Sequence, residues 1–337
     1  MTKLRFAIIG CGRISYKHIE ALINNNKEAE LIAVCDIVEE KANERKKQYE
    51  EAINNSNVKV YTDYIKMLEN EDIDVVSICT ESGYHARHAI DSLRRGKHVL
   101  VEKPMALSIK EADEMIKLAK DNNLKLGVCH QNRFNPPIQK LRRAIEEGRF
   151  GKLINGTARI LWTRDDNYYK QAPWRGTKEL DGGTLMNQCI HNIDLLQWMM
   201  GSEVERIHCE RGTFLRNIEM EDFGAILIRF KNGSIGIVEG SACVYPKNLE
   251  ETLSIFGEKG TVVIGGLAVN EIKTWQFADE RDYDKEDENT EVDNVYGKGH
   301  TPLYKDFIDA INNGKEPLIN GEEGKKAMEI VLRAYEC

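Results

Sequence analysis

Short apolar runs alternate with amphipathic stretches through the first 130 residues of the chain. Runs such as Leu4–Ile9 and Val99–Val101 are typical of strands buried on both faces of a parallel sheet. Helical spacing follows Ser108, which with Glu111 forms a capping-box pattern. Strands that alternate with helices in this way predict an α/β fold of the Rossmann type, a doubly wound parallel sheet. We predict its strands at 4–9, 31–35, 59–61, 74–79, 99–101 and 124–129.

The pattern changes after residue 153, where strands follow one another without helices between them. A turn signal at Lys231–Ser234 predicts a hairpin between two of these strands. This half favours an α+β domain with a large, open, mostly antiparallel sheet, so we divide the chain at 1–130 and 131–337. The strands are predicted at 153–162, 204–214, 223–230, 234–243, 252–256 and 261–264, and the helices at 138–148, 190–200, 302–313 and 322–335.

The bulk composition fits a globular enzyme of two domains. The 337 residues are 41% hydrophobic and 30% charged, with a formal net charge of −8. That charge offers no attraction for nucleic acid or an anionic membrane, and no apolar run reaches the roughly 20 residues of a membrane span. The eight cysteines are scattered without a CxxC pair. We interpret them as thiols of a cytoplasmic protein, and we predict neither disulfides nor a metal site.

A glycine-rich turn follows the first predicted strand and precedes a helix. In this setting Gly10 permits the tight turn, and Gly12 lets the backbone approach a pyrophosphate at the start of the helix. Asp36 ends the second strand, where an acid binds the adenine-ribose hydroxyl groups and repels a 2′-phosphate. An N-cap role for Asp36 is the alternative. The pattern indicates a dinucleotide site that prefers NAD to NADP.

The run His98–Pro104 ends a predicted strand abruptly in an acid, a lysine and a proline. Proline cannot continue the hydrogen-bond ladder, so the strand stops there. Open parallel sheets bind ligands beyond the carboxyl ends of their strands. Lys103 is therefore expected at the lip of that crevice, where its charge can stabilise an oxygen that becomes anionic. An exposed lysine without such a role is the alternative.

His191 lies in the first turn of a predicted helix, after the flexible pair Gly182 and Gly183. Oxidation of an alcohol removes the hydroxyl proton as well as a hydride, and an imidazole that titrates near neutral pH suits that proton transfer. Asp194 is three residues further on, the spacing at which it can orient the ring. A structural histidine at a helix start is the alternative.

The chain resembles the glucose–fructose oxidoreductase/inositol dehydrogenase family in five motifs: Gly10–Gly12, Asp36, Thr80–His85, Glu102–Pro104 and Asn132–Phe134. The runs NRFNPP, RDDNYY, WRGT and LDGGTLMNQCIHNIDLLQW, with the segment Gly299–Phe307, resemble the branch that oxidises UDP-N-acetylglucosaminuronate at C3. The resemblance implies that Lys103 and His191 are catalytic and that the Lys103–Pro104 bond is cis. It also implies a homo-oligomer, a dimer or tetramer, built through the second sheet.

Two positions depart from the family pattern. Glu81 stands where many members have proline, so the loop near the nicotinamide is expected to be less stiff. Asn187 stands where many have aspartate, and an amide there suits an anionic substrate that a carboxylate would repel. The family adds a strand-like tail after the last helix, so we expect the chain to be shortened at Cys337.

An arginine–aromatic cluster fits such a substrate. A UDP-uronate has a pyrophosphate and a carboxylate, and guanidinium groups match both. Arg133, Arg164 and Arg175 are the candidate cations, and Trp174 offers a flat face for stacking. Long polar loops inside a compact domain tend to be functional. A solvated loop held by cation–π packing is the alternative.

The predicted binding residues follow from these motifs. For NAD they are Gly10, Gly12, Arg13, Ile14, Asp36, Thr80, Ser82, His85, Glu102, Lys103 and Gln131. For the UDP-sugar they are Lys103, Asn132, Arg133, Arg164, Tyr168, Tyr169, Trp174, Arg175, Asn187, Gln188, His191 and His300.

The predicted reaction is oxidation of the sugar C3 hydroxyl group by NAD, a step towards diamino uronic acids of surface glycans. His191 takes the hydroxyl proton and Lys103 stabilises the same oxygen, or the two exchange roles. A dehydrogenase of another sugar or a cyclitol is one alternative. A nicotinamide-binding sensor without turnover is another, and the presence of both Lys103 and His191 argues against it.

Overall fold

The computed structural model describes residues 2–54 and 56–337, which divide into two compact units. The first unit is Met1–His130 with His300–Lys325, and the second is Gln131–Gly299 with Lys326–Cys337. The sequence pattern predicts that the segment from residue 300 belongs to the second domain. In the structure it joins the first unit, because helix His300–Asn313 packs against helix Ser15–Asn24.

The first unit is built on a six-stranded parallel sheet of order β3-β2-β1-β4-β5-β6. This is the predicted doubly wound fold, and all six predicted strands are present. The strands are β1 Leu4–Ile9, β2 Ala29–Cys35, β3 Lys59–Tyr61, β4 Val75–Ile78, β5 His98–Val101 and β6 Leu126–Val128. The helices are α1 Ser15–Asn24, α2 Glu39–Ala52, α3 Tyr64–Asn70, α4 His85–Arg94, α5 Ile109–Asp121 and α10 His300–Asn313, and α11 Gly321–Tyr335 begins here.

The sequence explains these elements locally. Phe6 and Ile8 of β1 and Val76 of β4 are fully buried, as continuous apolar strands of a parallel sheet require. Helix α5 begins at the predicted capping box. The Ser108 hydroxyl accepts from the Glu111 backbone N–H at 3.3 Å and donates to the Glu111 carboxylate at 2.7 Å.

The second unit contains a seven-stranded mixed sheet of order β13-β12-β11-β7-β10-β9-β8. Its pairs are antiparallel except for β7 with β10, which are parallel. The strands are β7 Leu153–Leu161, β8 Val204–Gly212, β9 Phe223–Phe230, β10 Ile235–Ser241, β11 Glu250–Gly257, β12 Gly260–Gly265 and β13 Glu271–Phe277. The helices are α6 Pro136–Glu146, α7 Asp166–Lys170, α8 Gly183–Asn187 and α9 Ile190–Met200. Strand β13 and the short helices α7 and α8 were not predicted.

The two faces of this sheet differ. Helix α9 covers the inner face closely, since a Cβ at Gly156 of β7 would lie 2.6 Å from the Leu196 side chain. On the outer face Leu227 and Ile237 stand opposite each other, 47% and 40% exposed. The homo-oligomer expected through this face stays a prediction. Of the residues that the structure describes, none belongs to a helix long and apolar enough to cross a membrane.

Candidate active site

The carboxyl ends of the strands in the first unit lie side by side at one edge of the sheet. Ile9 of β1 pairs with both Cys35 of β2 and Ile78 of β4. Val101 of β5 pairs with Ile78 and with Val128 of β6. The residues that follow these strands therefore emerge at one edge, where open parallel sheets bind ligands. They are the glycine-rich turn, Asp36, the loop from Thr80 and the run Glu102–Pro104.

The glycine-rich turn lies against the end of β4. Gly10 has a φ of +91°, and a Cβ there would lie 2.6 Å from the carbonyl carbon of Cys79, so a side chain is excluded. At Gly12, by contrast, a Cβ would meet no described atom within 4 Å. The turn thus leaves its backbone open before the first turn of α1, the kind of place that binds phosphate. This geometry fits the diphosphate of a dinucleotide.

Asp36 is tied to this turn. Its Oδ2 accepts from the Cys11 backbone N–H at 2.7 Å, and its Oδ1 accepts from the Val38 backbone N–H at 2.9 Å. Helix α2 has Val38, not Asp36, at its N-cap. The alternative of a helix cap is therefore excluded, and the predicted contact with the adenine ribose stays a prediction for Asp36.

Replacing Asp36 by serine is expected to raise the KM for NAD by about 10- to 100-fold, the equivalent of a charge-assisted hydrogen bond. The same change should lower the KM for NADP, because the repulsion of its 2′-phosphate disappears. Steady-state kinetics with both cofactors measures this, and Asp63→Ser, at the N-cap of α3, is the matched control. An unchanged preference between the two cofactors would remove Asp36 from the ribose site. A gain with NADP cannot come from damage to the fold.

His85 joins the loop after β4 to the turn after β5. Its Nδ1 lies 2.7 Å from the Pro104 carbonyl oxygen and its Nε2 lies 3.0 Å from the Thr80 carbonyl oxygen. Burial lowers the pKa of His85, and a neutral ring donates to only one of the two carbonyl groups at a time. His85, predicted to bind NAD, thus fixes the backbone beside Lys103. Of the other predicted NAD residues, Ser82 and Gln131 are buried, Ile14 is half-buried and Arg13 is exposed.

Glu102 lies at the centre of a buried polar cluster in the first unit. Its Oε1 is 2.9 Å from Nε2 of His18 and 3.6 Å from Nε2 of His300. Nδ1 of His18 is in turn 2.8 Å from the Tyr304 hydroxyl oxygen. Burial by itself would raise the pKa of Glu102, but the contacts with the two histidines outweigh it and hold that pKa well below its usual range. Glu102 is therefore an anion.

This cluster supports the backbone of Lys103. The Lys103 backbone N–H lies 3.3 Å from Oε2 of Glu102, and the Lys103–Pro104 bond is cis, as the resemblance implied. His300 was predicted to bind the sugar, and Glu102 was predicted to bind NAD. Their burial, 2% and 5% exposed, favours a positioning role for both. His18 is not among the predicted site residues. Its position among the apolar residues of α1 is a signal in the sequence that could have indicated a buried polar contact.

The same cluster contains donor atoms suited to a metal ion. Those of His18, Glu102 and Cys129 lie within 4.8 Å of one another. However, His18 and Glu102 already share a hydrogen bond, and burial raises the pKa of the Cys129 thiol well above its usual value. Since metals bind the thiolate, the geometry favours a hydrogen-bonded cluster over a metal centre.

In the second unit, Gln188 is the centre of a polar network. Its Oε1 accepts from Nε of Arg164 at 3.2 Å. Its Nε2 donates to the Tyr168 hydroxyl oxygen at 3.0 Å and to Oδ1 of Asn187 at 2.9 Å. Arg175 donates to the same tyrosine oxygen at 2.7 Å. The structure thus brings five of the predicted substrate residues together.

Aromatic rings hold the two arginines of this network. The Arg164 guanidinium lies 4.6 Å from the Trp162 ring and 5.0 Å from that of Tyr168. The Arg175 guanidinium lies 4.4 Å from the Tyr168 ring and 4.5 Å from that of Trp174. Both arginines stay half-buried. The cation–π packing named as the alternative is therefore present, and it orients cations that a ligand can reach.

Three further contacts complete the network. Asn187 donates to the Asp181 carboxylate, which also accepts from the Gly176 backbone N–H at 2.6 Å. The buried carboxylate of Asp181 thus orients the Asn187 amide. Asp181 is not among the predicted site residues. The Tyr169 ring contacts that of Tyr168 edge-on at 5.1 Å, and burial raises the pKa of Tyr169.

His191 differs from the rest of α9. Every other residue of the helix is buried, whereas His191 is half-buried at its first turn. A histidine that only filled the core would share the burial of its neighbours. His191 is thus partly accessible at the start of α9, and its contact with the substrate stays a prediction.

Arg133 and Asp194 form a buried ion pair with each other. Arg133 is 0% exposed, and its Nε and Nη2 donate to the two oxygens of Asp194 at 2.8 and 2.6 Å. Its guanidinium also lies 4.7 Å from the Trp198 ring. Asp194 was expected to orient His191 and Arg133 to bind the substrate. Because the guanidinium and the carboxylate already bind each other, the geometry favours a structural role for both, and the two predicted roles stay untested.

Two family models match the chain. "Oxidoreductase family, NAD-binding Rossmann fold" matches residues 4–130, and "GFO/IDH/MocA C-terminal domain" matches residues 138–263. The myo-inositol 2-dehydrogenase of Thermotoga maritima is 27% identical over 96% of this chain and 93% of its own.

Two solved structures are similar over nearly the whole chain. The WlbA dehydrogenase of Bordetella pertussis, in complex with NADH and UDP-GlcNAcA, has a TM-score of 0.88 and 36% identity over 99% of this chain and 96% of its own. The WlbA dehydrogenase of Chromobacterium violaceum, in complex with the same two ligands, has a TM-score of 0.88 and 38% identity over 99% and 93%. The chain therefore belongs to the Gfo/Idh/MocA family of oxidoreductases and has an NAD-binding domain of that family.

Proposed function

We propose that the protein oxidises the C3 hydroxyl group of UDP-N-acetylglucosaminuronate to a ketone, with NAD as the oxidant. The observation that supports this substrate most directly is the pair Arg164 and Arg175, two half-buried cations held on aromatic faces. Guanidinium groups match both the pyrophosphate and the carboxylate of a UDP-uronate. The similarity to two dehydrogenases crystallised with NADH and UDP-GlcNAcA supports the same substrate.

The residues at the sheet edge fit the cofactor. Gly10 and Gly12 with the first turn of α1 would hold the diphosphate, since the space around Gly12 contains no described atom within 4 Å of an added Cβ. Asp36 would hold the adenine ribose. When bound, NAD supplies the acceptor for the hydride that leaves the alcohol carbon.

In the proposed mechanism, Lys103 and His191 act on one hydroxyl oxygen of the substrate. His191 accepts its proton, and Lys103 donates a hydrogen bond that stabilises the negative charge that develops on the oxygen. The cluster around Glu102 supports the Lys103 backbone. Asn187, oriented by Asp181, offers its amide to a sugar hydroxyl group. Lys103 and His191 can exchange roles, because groups coupled in one site share their titration.

The expected substrate preference can be measured directly. Reduction of NAD with UDP-N-acetylglucosaminuronate should exceed that with free N-acetylglucosaminuronate by about 100-fold or more in kcat/KM. Two charge-assisted contacts of about 1.5 kcal/mol each support that factor. Absorbance of reduced nicotinamide follows the reaction. Equal rates with the free sugar would overturn the assignment of the substrate.

A cyclitol dehydrogenase is the second candidate, because of the similarity to a myo-inositol 2-dehydrogenase over 96% of the chain. The same assay with myo-inositol separates the two. Turnover of myo-inositol that matches or exceeds that of the UDP-sugar would replace the first candidate by the second. Binding of NAD without turnover of any of these compounds would point to the sensor instead.

A further inference from the structure

Glu251 is a carboxyl group buried without a cation. It is 4% exposed on the inner face of β11, in register with the apolar Leu253 and Ile255. Within the described part of the chain its one hydrogen bond comes from Nδ2 of Asn132, 3.5 Å from Oε1, and it forms no ion pair. Burying an unpaired carboxylate is strongly unfavourable, so such a group binds a proton and becomes uncharged instead.

Two buried oxygens of this pair have no hydrogen-bond partner among the residues that the structure describes. They are Oε2 of Glu251 and Oδ1 of Asn132. A proton on Oε2 turns it into a donor, and the amide oxygen is an acceptor. A carboxylic acid and an amide can then share two hydrogen bonds in a ring. A carboxylate would instead present only acceptors to the amide oxygen.

The pair lies where three elements of the second unit meet. Asn132 belongs to the 3₁₀ turn Gln131–Phe134, which packs against α9. Asn192, in the first turn of α9, donates to the Thr252 carbonyl oxygen at 3.4 Å. Thr252 follows Glu251 on β11. A change at Glu251 therefore reaches both the predicted substrate residue Asn132 and the helix turn that contains His191.

The charges around Glu251 leave its proton in place. Burial raises the pKa of Glu251 to about 8, and the charge of Arg164 opposes burial only in part. Helix α9 presents His191 and Asp194, and the 3₁₀ turn presents Arg133, which is paired with Asp194. Ile160 of strand β7 pairs with Glu251, and the charged residue of that strand, Arg159, forms ion pairs with Glu239 and Glu250 instead. Glu251 is thus uncharged at neutral pH.

We propose that Glu251 is a positioning residue of the sugar site, where it holds Asn132 as an uncharged carboxylic acid. Above a pH of about 8 it ionises, and Asn132 Nδ2 can still donate to Oε1. Oε2 no longer donates to Oδ1 of Asn132, the two oxygens repel each other, and this repulsion releases the 3₁₀ turn. The inference rests on the proposed function wherever turnover is the readout.

Glu251→Gln tests this role, because glutamine keeps both hydrogen bonds of the acid and cannot ionise. The kcat of the wild type should fall about tenfold for each pH unit above about 8 relative to the variant. At pH 7 the variant should keep at least half of the wild-type kcat, while Glu251→Ala loses most of it. Glu250→Gln, on the opposite face of β11 and paired with Arg159, is the control and should follow the wild type. Coincident pH profiles of wild type and Glu251→Gln would overturn the proposal.

Stability and exchange measurements need no substrate. Between the usual pKa of 4.5 and about 8, folded protein binds a proton that unfolded protein has lost, so stability falls as pH rises through this window. As pH rises between these limits, the Tm of the wild type should therefore fall by several degrees relative to the Tm of Glu251→Gln. Amide hydrogens of Gln131–Phe134 should exchange faster in the wild type than in the variant above pH 8, and equally at pH 7. A Tm difference that is independent of pH would refute the uncharged acid, and equal exchange at all pH values would refute the positioning. Failure of the proposed function alone would leave both results intact.

Discussion

Replacing His191 by asparagine is expected to lower kcat for UDP-N-acetylglucosaminuronate by a factor of about 10²–10⁴. Asparagine keeps a hydrogen-bonding side chain at the start of α9 but cannot accept the hydroxyl proton. The Kd for NAD should stay unchanged, because its predicted binding residues belong almost entirely to the first unit. Steady-state kinetics and a fluorescence titration of NAD measure the two quantities.

His208→Asn provides the matched control, since His208 is exposed on β8. It should leave both kcat and the Kd for NAD at the wild-type values. A His191→Asn enzyme with wild-type turnover would remove His191 from the mechanism. Loss of NAD binding along with turnover would show damage to the fold instead.

Lys103→Met extends this test to the convergence of the two groups. Lys103 is in the first unit and His191 in the second, and the mechanism requires both to act on one oxygen. If they do, the double variant should lose little more kcat than the worse single variant, because groups that act as a unit are non-additive. Losses that multiply would mean that the two residues act independently.

The fold was easiest to predict where the spacing of apolar residues and the adjacent motif residues indicate the same structure. Continuous apolar strands such as Leu4–Ile9 predicted the parallel sheet, and the turn at Gly10 and the run at Lys103 predicted its ligand edge. Strand direction in the second unit was harder. Strands β7 and β10 are parallel and are far apart in sequence. The alternation of apolar residues shows which face of a strand is buried, but not whether its neighbour is parallel or antiparallel. Strand β13 lacks buried alternate positions, so nothing marked it.

Charged residues of the candidate site are the ones whose burial the sequence did not indicate. Arg133 and His300 stand in polar runs and were assigned to the substrate, yet both are buried. Sequence alone does not reveal a partner 61 residues away, such as Asp194 for Arg133. Glu251 was missed for the converse reason. An acid in register with Leu253 and Ile255 is visible in the sequence, but its lack of a cation appears only in the structure.

Replacing Arg133 by methionine is expected to reduce the free energy of unfolding by about 3–5 kcal/mol. The change leaves the Asp194 carboxylate buried without its partner, and it also removes the contact with Trp198. For a unit of this size the loss corresponds to a fall in Tm of about 10 °C. Thermal or urea unfolding of the purified variant measures it.

Arg159→Met is the control for this prediction. Arg159 forms ion pairs with Glu239 and Glu250 on the outer face of the sheet, and it is 39% exposed there. Exposed pairs contribute about 0–1 kcal/mol, so this variant should unfold close to the wild type. A loss as large as that of Arg133→Met would mean that burial is not what distinguishes the two pairs.

The double variant Arg133→Met/Asp194→Leu separates a structural role from substrate binding. Apolar residues of similar volume often replace a buried ion pair at little cost, so most of the lost Tm should return. If Arg133 only supports the fold, the KM for the UDP-sugar should return with it. If Arg133 bound the sugar carboxylate, the KM would stay raised while the Tm recovered. The bidentate pair with Asp194, whose two oxygens both face the guanidinium, favours the first result.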